Sequence, residues 1–217
     1  MATGKPGTAE HTGVTDIRNF GTARRGRLRR STATGQALVE FVLVFPIFFV
    51  IILAIIEFGF TMNAWVSVDF ATRDAALAAA EAGSADSGDC SILRAIDAGM
   101  TTPAKNHAVT EVRVFKADTN GKPLGPVNVY DRNGTTSCPL ADGTASTVAY
   151  RLVSESYDES SRCNELQGCN VQTTVDTIGV QITYAYTWAT PLHLLMPTVG
   201  PGYLMVKSNA MRMEPVL

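Results

Sequence analysis

Sixteen consecutive residues, Phe41 to Ile56, carry no polar side chain (FVLVFPIFFVIILAII). Ala37, Leu38 and Val39 precede them, and Phe58, Gly59 and Phe60 follow. Only Glu40 and Glu57 interrupt the longer run. A helix needs about 20 apolar residues to cross a hydrocarbon core of about 30 Å, and residues 38–58 meet that need. A removable secretory signal would have a core of about 7–15 residues and a small-residue cleavage site. Here the run is longer, and Glu57-Phe58-Gly59-Phe60-Thr61-Met62 follows it. The segment reads as a retained transmembrane helix, not as a signal or a buried helix of a soluble domain.

The charges divide around this span. Residues 1–35 carry seven basic groups (Lys5, Arg18, Arg24, Arg25, Arg27, Arg29, Arg30) and two acids (Glu10, Asp16), a net +5. The rest of the 217-residue chain carries eleven basic and eighteen acidic groups, a net −7. Basic residues stay on the cytoplasmic side of a span, so residues 1–35 are expected inside and residues 60–217 outside. The arginine cluster beside a span reads as a topology signal. An acidic body is the wrong footprint for nucleic acid.

All four cysteines, Cys90, Cys138, Cys163 and Cys169, follow the span. An even number in an exported domain suggests two disulfides, with three connectivities open. Cys163 and Cys169 enclose a five-residue loop that closes readily, which leaves Cys90 with Cys138. No Cys-x-x-Cys is present, and His107 and His193 lack the spacing of zinc ligands.

Residues 1–35 have no periodicity and read as a disordered basic leader. Residues 36–60 form the span and 61–83 its outward extension. Ala-rich Asp74–Gly83 favours helix, and Val66, Phe70 and Leu77 share one helical face. That stripe is expected to be covered by a globular body. Pro46 removes a backbone hydrogen bond and should kink the helix. Residues 84–217 read as an extracytoplasmic α+β domain. A short helix is expected at Ser91–Met100 and a strand at Val109–Lys116. A hairpin turn at Asn120-Gly121 leads to a strand at Val127–Tyr130, and Asn133-Gly134 marks a further turn. Short alternation at Thr147–Val153 suggests another strand. Ile178–Trp188 alternates most clearly; residues 189–202, with Pro191, Pro197 and Pro201, read as a loop. Tyr203–Met213 is expected to pair with the preceding strand. The architecture is then a long helix packed through its outer half on an antiparallel sheet.

The informative motif stands where the span begins: Gly35-Gln36-Ala37-Leu38-Val39-Glu40-Phe41. A carboxylate at the edge of a span is costly and marks function by default. The chain here resembles type IV pilin-like precursors of the tight-adherence class, cut by a prepilin peptidase after a Gly, with Glu fifth and an aromatic sixth in the mature chain. Counted from Gln36, Glu40 is fifth and Phe41 sixth. The stretch GQALVEFVLVFPIFFVIILAIIEFG is similar to the signature of the TadE-like family, minor pseudopilin-like proteins of that pilus system. The shared features are Gly35, Ala37–Phe41, Pro46 and Glu57-Phe58-Gly59. The long leader, with its two acids, departs from the pattern.

The resemblance implies a pilin-like, membrane-anchored structural protein with no cofactor. It would be single-pass in a bacterial cytoplasmic membrane and possess a processing site at Gly35/Gln36. Implied partners are other pilins and pseudopilins, pilus assembly membrane proteins, a transient prepilin peptidase and membrane lipid. Glu40, Phe41, Pro46 and Glu57 would serve helix pairing. A carboxylate at Glu40 would meet the new α-amino group of a neighbouring Gln36 and fix the stagger between helices. Glu57, about 26 Å farther along the axis, also reads as a plain carboxylate at the outer lipid edge. The alternative is an uncleaved single-pass protein whose outer domain binds a partner unrelated to pili.

Other signals are weak. Asp118-Thr119-Asn120-Gly121 places Pro123 and Val129 where a calcium loop needs Gly and Glu, so it reads as a turn. Asn133-Gly134-Thr135 matches a glycosylation sequon and is also read as a turn. No nucleophile–base spacing, phosphate loop or metal cluster suggests an enzyme.

Overall fold

The computed structural model describes residues 33–100, 104–140, 143–164, 174–195 and 200–213. Most of the leader, Cys169 and part of the proline-rich loop lie outside them. The chain divides into two units, 1–44 and 45–217. The described part of the first is the opening of helix α1, which runs Ala33–Ala82 and is unbroken through Pro46. The remaining elements belong to the second unit. They are α2 (Gly88–Gly99), β1 (Val109–Ala117), β2 (Pro123–Asp131), β3 (Thr136–Pro139), β4 (Ala145–Val148), β5 (Arg151–Ser154), β6 (Thr177–Thr187), α3 (Leu192–Leu195) and β7 (Gly202–Arg212). The architecture is α+β, with a long apolar helix ahead of an antiparallel sheet.

Five strands pair in the order β5-β2-β1-β6-β7, and β3-β4 form a separate hairpin. The alternation seen in the sequence sets the register. Val112 faces Ile182 and Val114 faces Val180 across β1 and β6. Tyr184 faces Met205 and Tyr186 faces Tyr203 across β6 and β7. The β1–β2 turn uses Gly121 at φ +77°, where glycine carries no Cβ penalty. The Asp118 carboxylate accepts from the amides of Asn120 and Lys122, 2.8 Å each; it closes a turn, as the sequence suggests. On the other face of the sheet Phe115 lies over Gly179. A Cβ on Gly179 would come within 2.3 Å of the ring, so Phe115 is buried where a side chain is missing.

The outer half of α1 packs with a different face from the one its larger residues suggest. Ala64, Val68, Ala71, Ala75 and Ala79, spaced four, three, four and four, are buried in the core. Val66, Phe70 and Leu77 stay 39%, 57% and 40% exposed. The reason is steric. A Cβ on Gly99 would stand 2.9 Å from the Ala71 backbone, so α2 crosses α1 where only small residues fit. The lost bulk is made up from the other side. Ile92, Leu93 and Ile96 of α2 are fully buried, each worth about 1.5–3 kcal/mol of transfer free energy.

Two further expectations change. Thr147–Val153 is not one strand: Thr147 pairs with Ser137 in the small hairpin, and Leu152 pairs with Tyr130 in the main sheet. Tyr150 marks the change of sheet. Its side chain is fully buried and its hydroxyl accepts from Arg132, 2.7 Å, and donates to Asp97, 3.2 Å. The loop after β6 contains α3, a single helical turn at Leu192–Leu195.

Candidate functional site

The carboxylate that interrupts the apolar run of α1 is held by the far end of the sheet. Glu57 is 2% exposed. One carboxylate oxygen accepts from the Tyr186 hydroxyl at 2.5 Å and from the Ala189 amide at 3.0 Å. The other accepts from the Thr190 amide at 2.7 Å. The alternation of β6 aims Tyr186 at the helix, and the chain then turns so that two successive amides converge on the same group. Burial, and then the hydrogen bond to Glu57, push the Tyr186 hydroxyl up to about 12, so it stays protonated and donates. Around this clasp Tyr186, Trp188 and Tyr203 form a ring cluster with centroids 5.3–6.1 Å apart. The Trp188 indole donates to the Gly200 carbonyl at 3.0 Å.

Before Glu57 the helix is a bare apolar rod. Phe45, Ile47, Phe48, Phe49, Ile51, Ile55 and Ile56 are all exposed. The helix is long and apolar enough to cross a membrane, and this half of it makes no core of its own among the described residues.

Residues 35–77 match the family model described as TadE-like protein.

The TadE-like segment begins at Gly35, contains Glu40, Pro46 and Glu57, and ends at Leu77, short of the sheet. The match covers 43 of the chain's 217 residues. Neither curated proteins nor solved structures match the chain. Within the segment, a Cβ on Gly35 would meet nothing within 4 Å, and Gln36 donates to Glu40 at 3.1 Å, one helical turn on. Glu40 and Phe41 are exposed. Glu57 differs from its expected state as an edge carboxylate, because its oxygens are occupied by the chain's own donors.

Beyond the TadE-like segment, Cys90 of α2 is bonded to Cys138 of β3, with Cα atoms 5.5 Å apart. Cys163 is disulfide-bonded; Cys169, the partner expected from the sequence, lies outside the described residues. Arg94 reinforces the first bridge, reaching the carbonyls of Cys138 and Pro139 at 2.9 and 2.8 Å and Ser146 at 3.0 Å.

Sequence reasoning missed a buried ionic cluster. Arg162 and Asp89 pair at 2.6 Å, with side chains 0% and 7% exposed. Asp89 also accepts from Asn128 at 2.9 Å and Tyr130 at 2.6 Å. Glu159 accepts from the Asp89 amide at 2.6 Å, which satisfies a donor in the first turn of α2. Lys116 pairs with buried Asp176 at 2.6 Å. Arg162 and Glu159 together pin residues 159–162 to the start of α2, while Arg162 Nε and Nη1 are buried with no hydrogen-bond partner among the described residues. Among the described residues no group of three or more potential metal ligands is found.

Proposed function

We propose that the chain is a membrane-anchored, pseudopilin-like structural component of a tight-adherence pilus assembly system. The observation that carries this reading is a coincidence. The segment that matches the TadE-like family is also the segment that exposes apolar side chains along most of its length, with Glu40 five residues after Gly35. The basic residues before the span favour a cytoplasmic N-terminus. Prepilin peptidase would cut between Gly35 and Gln36.

Once freed, the α-amino group of Gln36 is a cation beside lipid. A Glu40 carboxylate on an adjacent helix neutralises it there and sets the stagger of the pair, a specificity role more than a stabilising one. The outer half of α1 then offers Met62, Val66, Phe70 and Leu77, all exposed, as a continuation of the lateral contact beyond the lipid. Other pilins, pseudopilins and assembly membrane proteins are the partners such a stripe would meet.

Glu40→Ala tests this reading. Loss of a charge from a span eases insertion, so membrane recovery should equal that of the unaltered protein. Recovery of pilus components with the affinity-tagged variant should fall sharply, and surface piliation with it. Undiminished recovery and normal piliation would contradict the pairing role.

A further inference from the structure

We infer that the clasped end of the sheet lies on the bilayer surface, with Trp188, Leu194, Tyr203 and Leu204 forming an interfacial collar around the outer end of the span. The inference rests on the reading that α1 crosses the membrane, and it adds a second lipid contact made by the folded domain.

The first ground is position. The amides of Ala189 and Thr190 sit 3.0 and 2.7 Å from Glu57, and the span, which carries exposed Phe58 and Phe60 past that residue, ends three residues beyond it. The start of the post-β6 loop is therefore fixed at the depth where the span leaves the hydrocarbon.

The second ground is composition. No Asp, Glu, Lys or Arg occurs from Thr177 to Val206. For the strand this reflects the core, but the loop is charge-free as well. Within it Leu194 is 72% exposed, and Leu204, at the start of β7, is 65% exposed. A loop bathed in water has no need of such residues.

The third ground is where charge begins. On α1 the first charged residue after Glu57 is Asp69, and on β7 the first is Lys207. Their charged atoms approach to 3.8 Å, and Lys207 Nζ stands 3.4 Å over the Trp65 ring. Helix and strand thus leave their uncharged bands at one level. Asp69 is twelve residues beyond Glu57, about 18 Å at 1.5 Å per residue. Lys207 is four residues beyond Tyr203, about 13 Å at 3.3 Å per residue. Trp and Tyr stand at the inner edge of this uncharged band, and they are the residues that anchor a protein at the lipid–water interface. Lys105 and His107 line the groove beside Phe60 and Trp188. Lys105 supplies a cation where lipid phosphates would lie.

The chain's two tryptophans form a ruler for the test. Full-length protein is reconstituted into vesicles of phosphatidylethanolamine and phosphatidylglycerol whose acyl chains are brominated near the headgroup. Trp65→Phe leaves Trp188 as the reporter, and Trp188→Phe leaves Trp65. Bromolipid should quench Trp188 several-fold more than Trp65, and Leu194→Asp, on an exposed position, should reduce the Trp188 quenching. Equal, weak quenching of both in protein that resists carbonate extraction would overturn the collar and leave the span standing. Release by carbonate would overturn both. A benzophenone at position 194 that links two copies of the chain instead of lipid would assign the patch to self-association and also overturn the proposal.

Discussion

Glu57→Ala is expected to lower the stability of the folded domain by about 3–5 kcal/mol. The substitution strands two buried donors, the Tyr186 hydroxyl and the Thr190 amide, and the part-buried Ala189 amide, and buried donors without acceptors cost about 1–3 kcal/mol each. For a domain of this size that is a fall in melting temperature of roughly 6–20 °C. The full chain in detergent micelles, followed by near-ultraviolet circular dichroism, reports the event directly, because Tyr186, Trp188 and Tyr203 surround the clasp. Their signal should weaken even below the melting point. Glu57→Gln keeps one acceptor oxygen and should lose less. An unchanged midpoint and an unchanged aromatic signal in Glu57→Ala would mean that the carboxylate belongs to lipid or to a partner, not to the chain's own fold.

Cys138→Ser carries the second large effect. The Cys90–Cys138 bond spans 48 residues. Chain-entropy arithmetic for a loop of that size gives about 4 kcal/mol, or roughly 8–16 °C in melting temperature. The bond ties α2 to a two-stranded hairpin that pairs with no other strand among the described residues, and such a hairpin is marginal alone. The first consequence should be early loss of protection in β3 and β4, read by hydrogen exchange, ahead of global melting. Arg94 still bonds the hairpin carbonyls, so the hairpin should loosen without detaching. Simultaneous melting of all strands with an unshifted midpoint would show that the bridge is dispensable.

The elements that could be read from sequence are those whose signal is local. Sixteen apolar residues make α1 unmistakable, and period-two alternation with Asn-Gly between runs places β1, β2, β6 and β7. The buried face of α1 was not legible, because hydrophobicity points to Val66, Phe70 and Leu77 whereas the fold selects for size. Ala71 is buried because Gly99 must pass it, a fact about a residue 28 positions away. The role of Glu57 was equally hidden. Its donors are 129 to 133 residues distant, and two of them are backbone amides that any residue type supplies. A signal existed in the charge-free loop after β6, unusual for a surface loop and opened by Trp188 next to the strand's end. The Asp89–Arg162 pair left no such trace, since an acid near the start of a helix and an arginine in a loop are ordinary surface features.

The intact mass of the protein extracted from the membranes of its own cells tests the central claim most directly. Processing as a pilin-like precursor predicts a species lacking residues 1–35, with Gln36 at its N-terminus. A full-length chain as the sole species in cells that carry an active prepilin peptidase would contradict it.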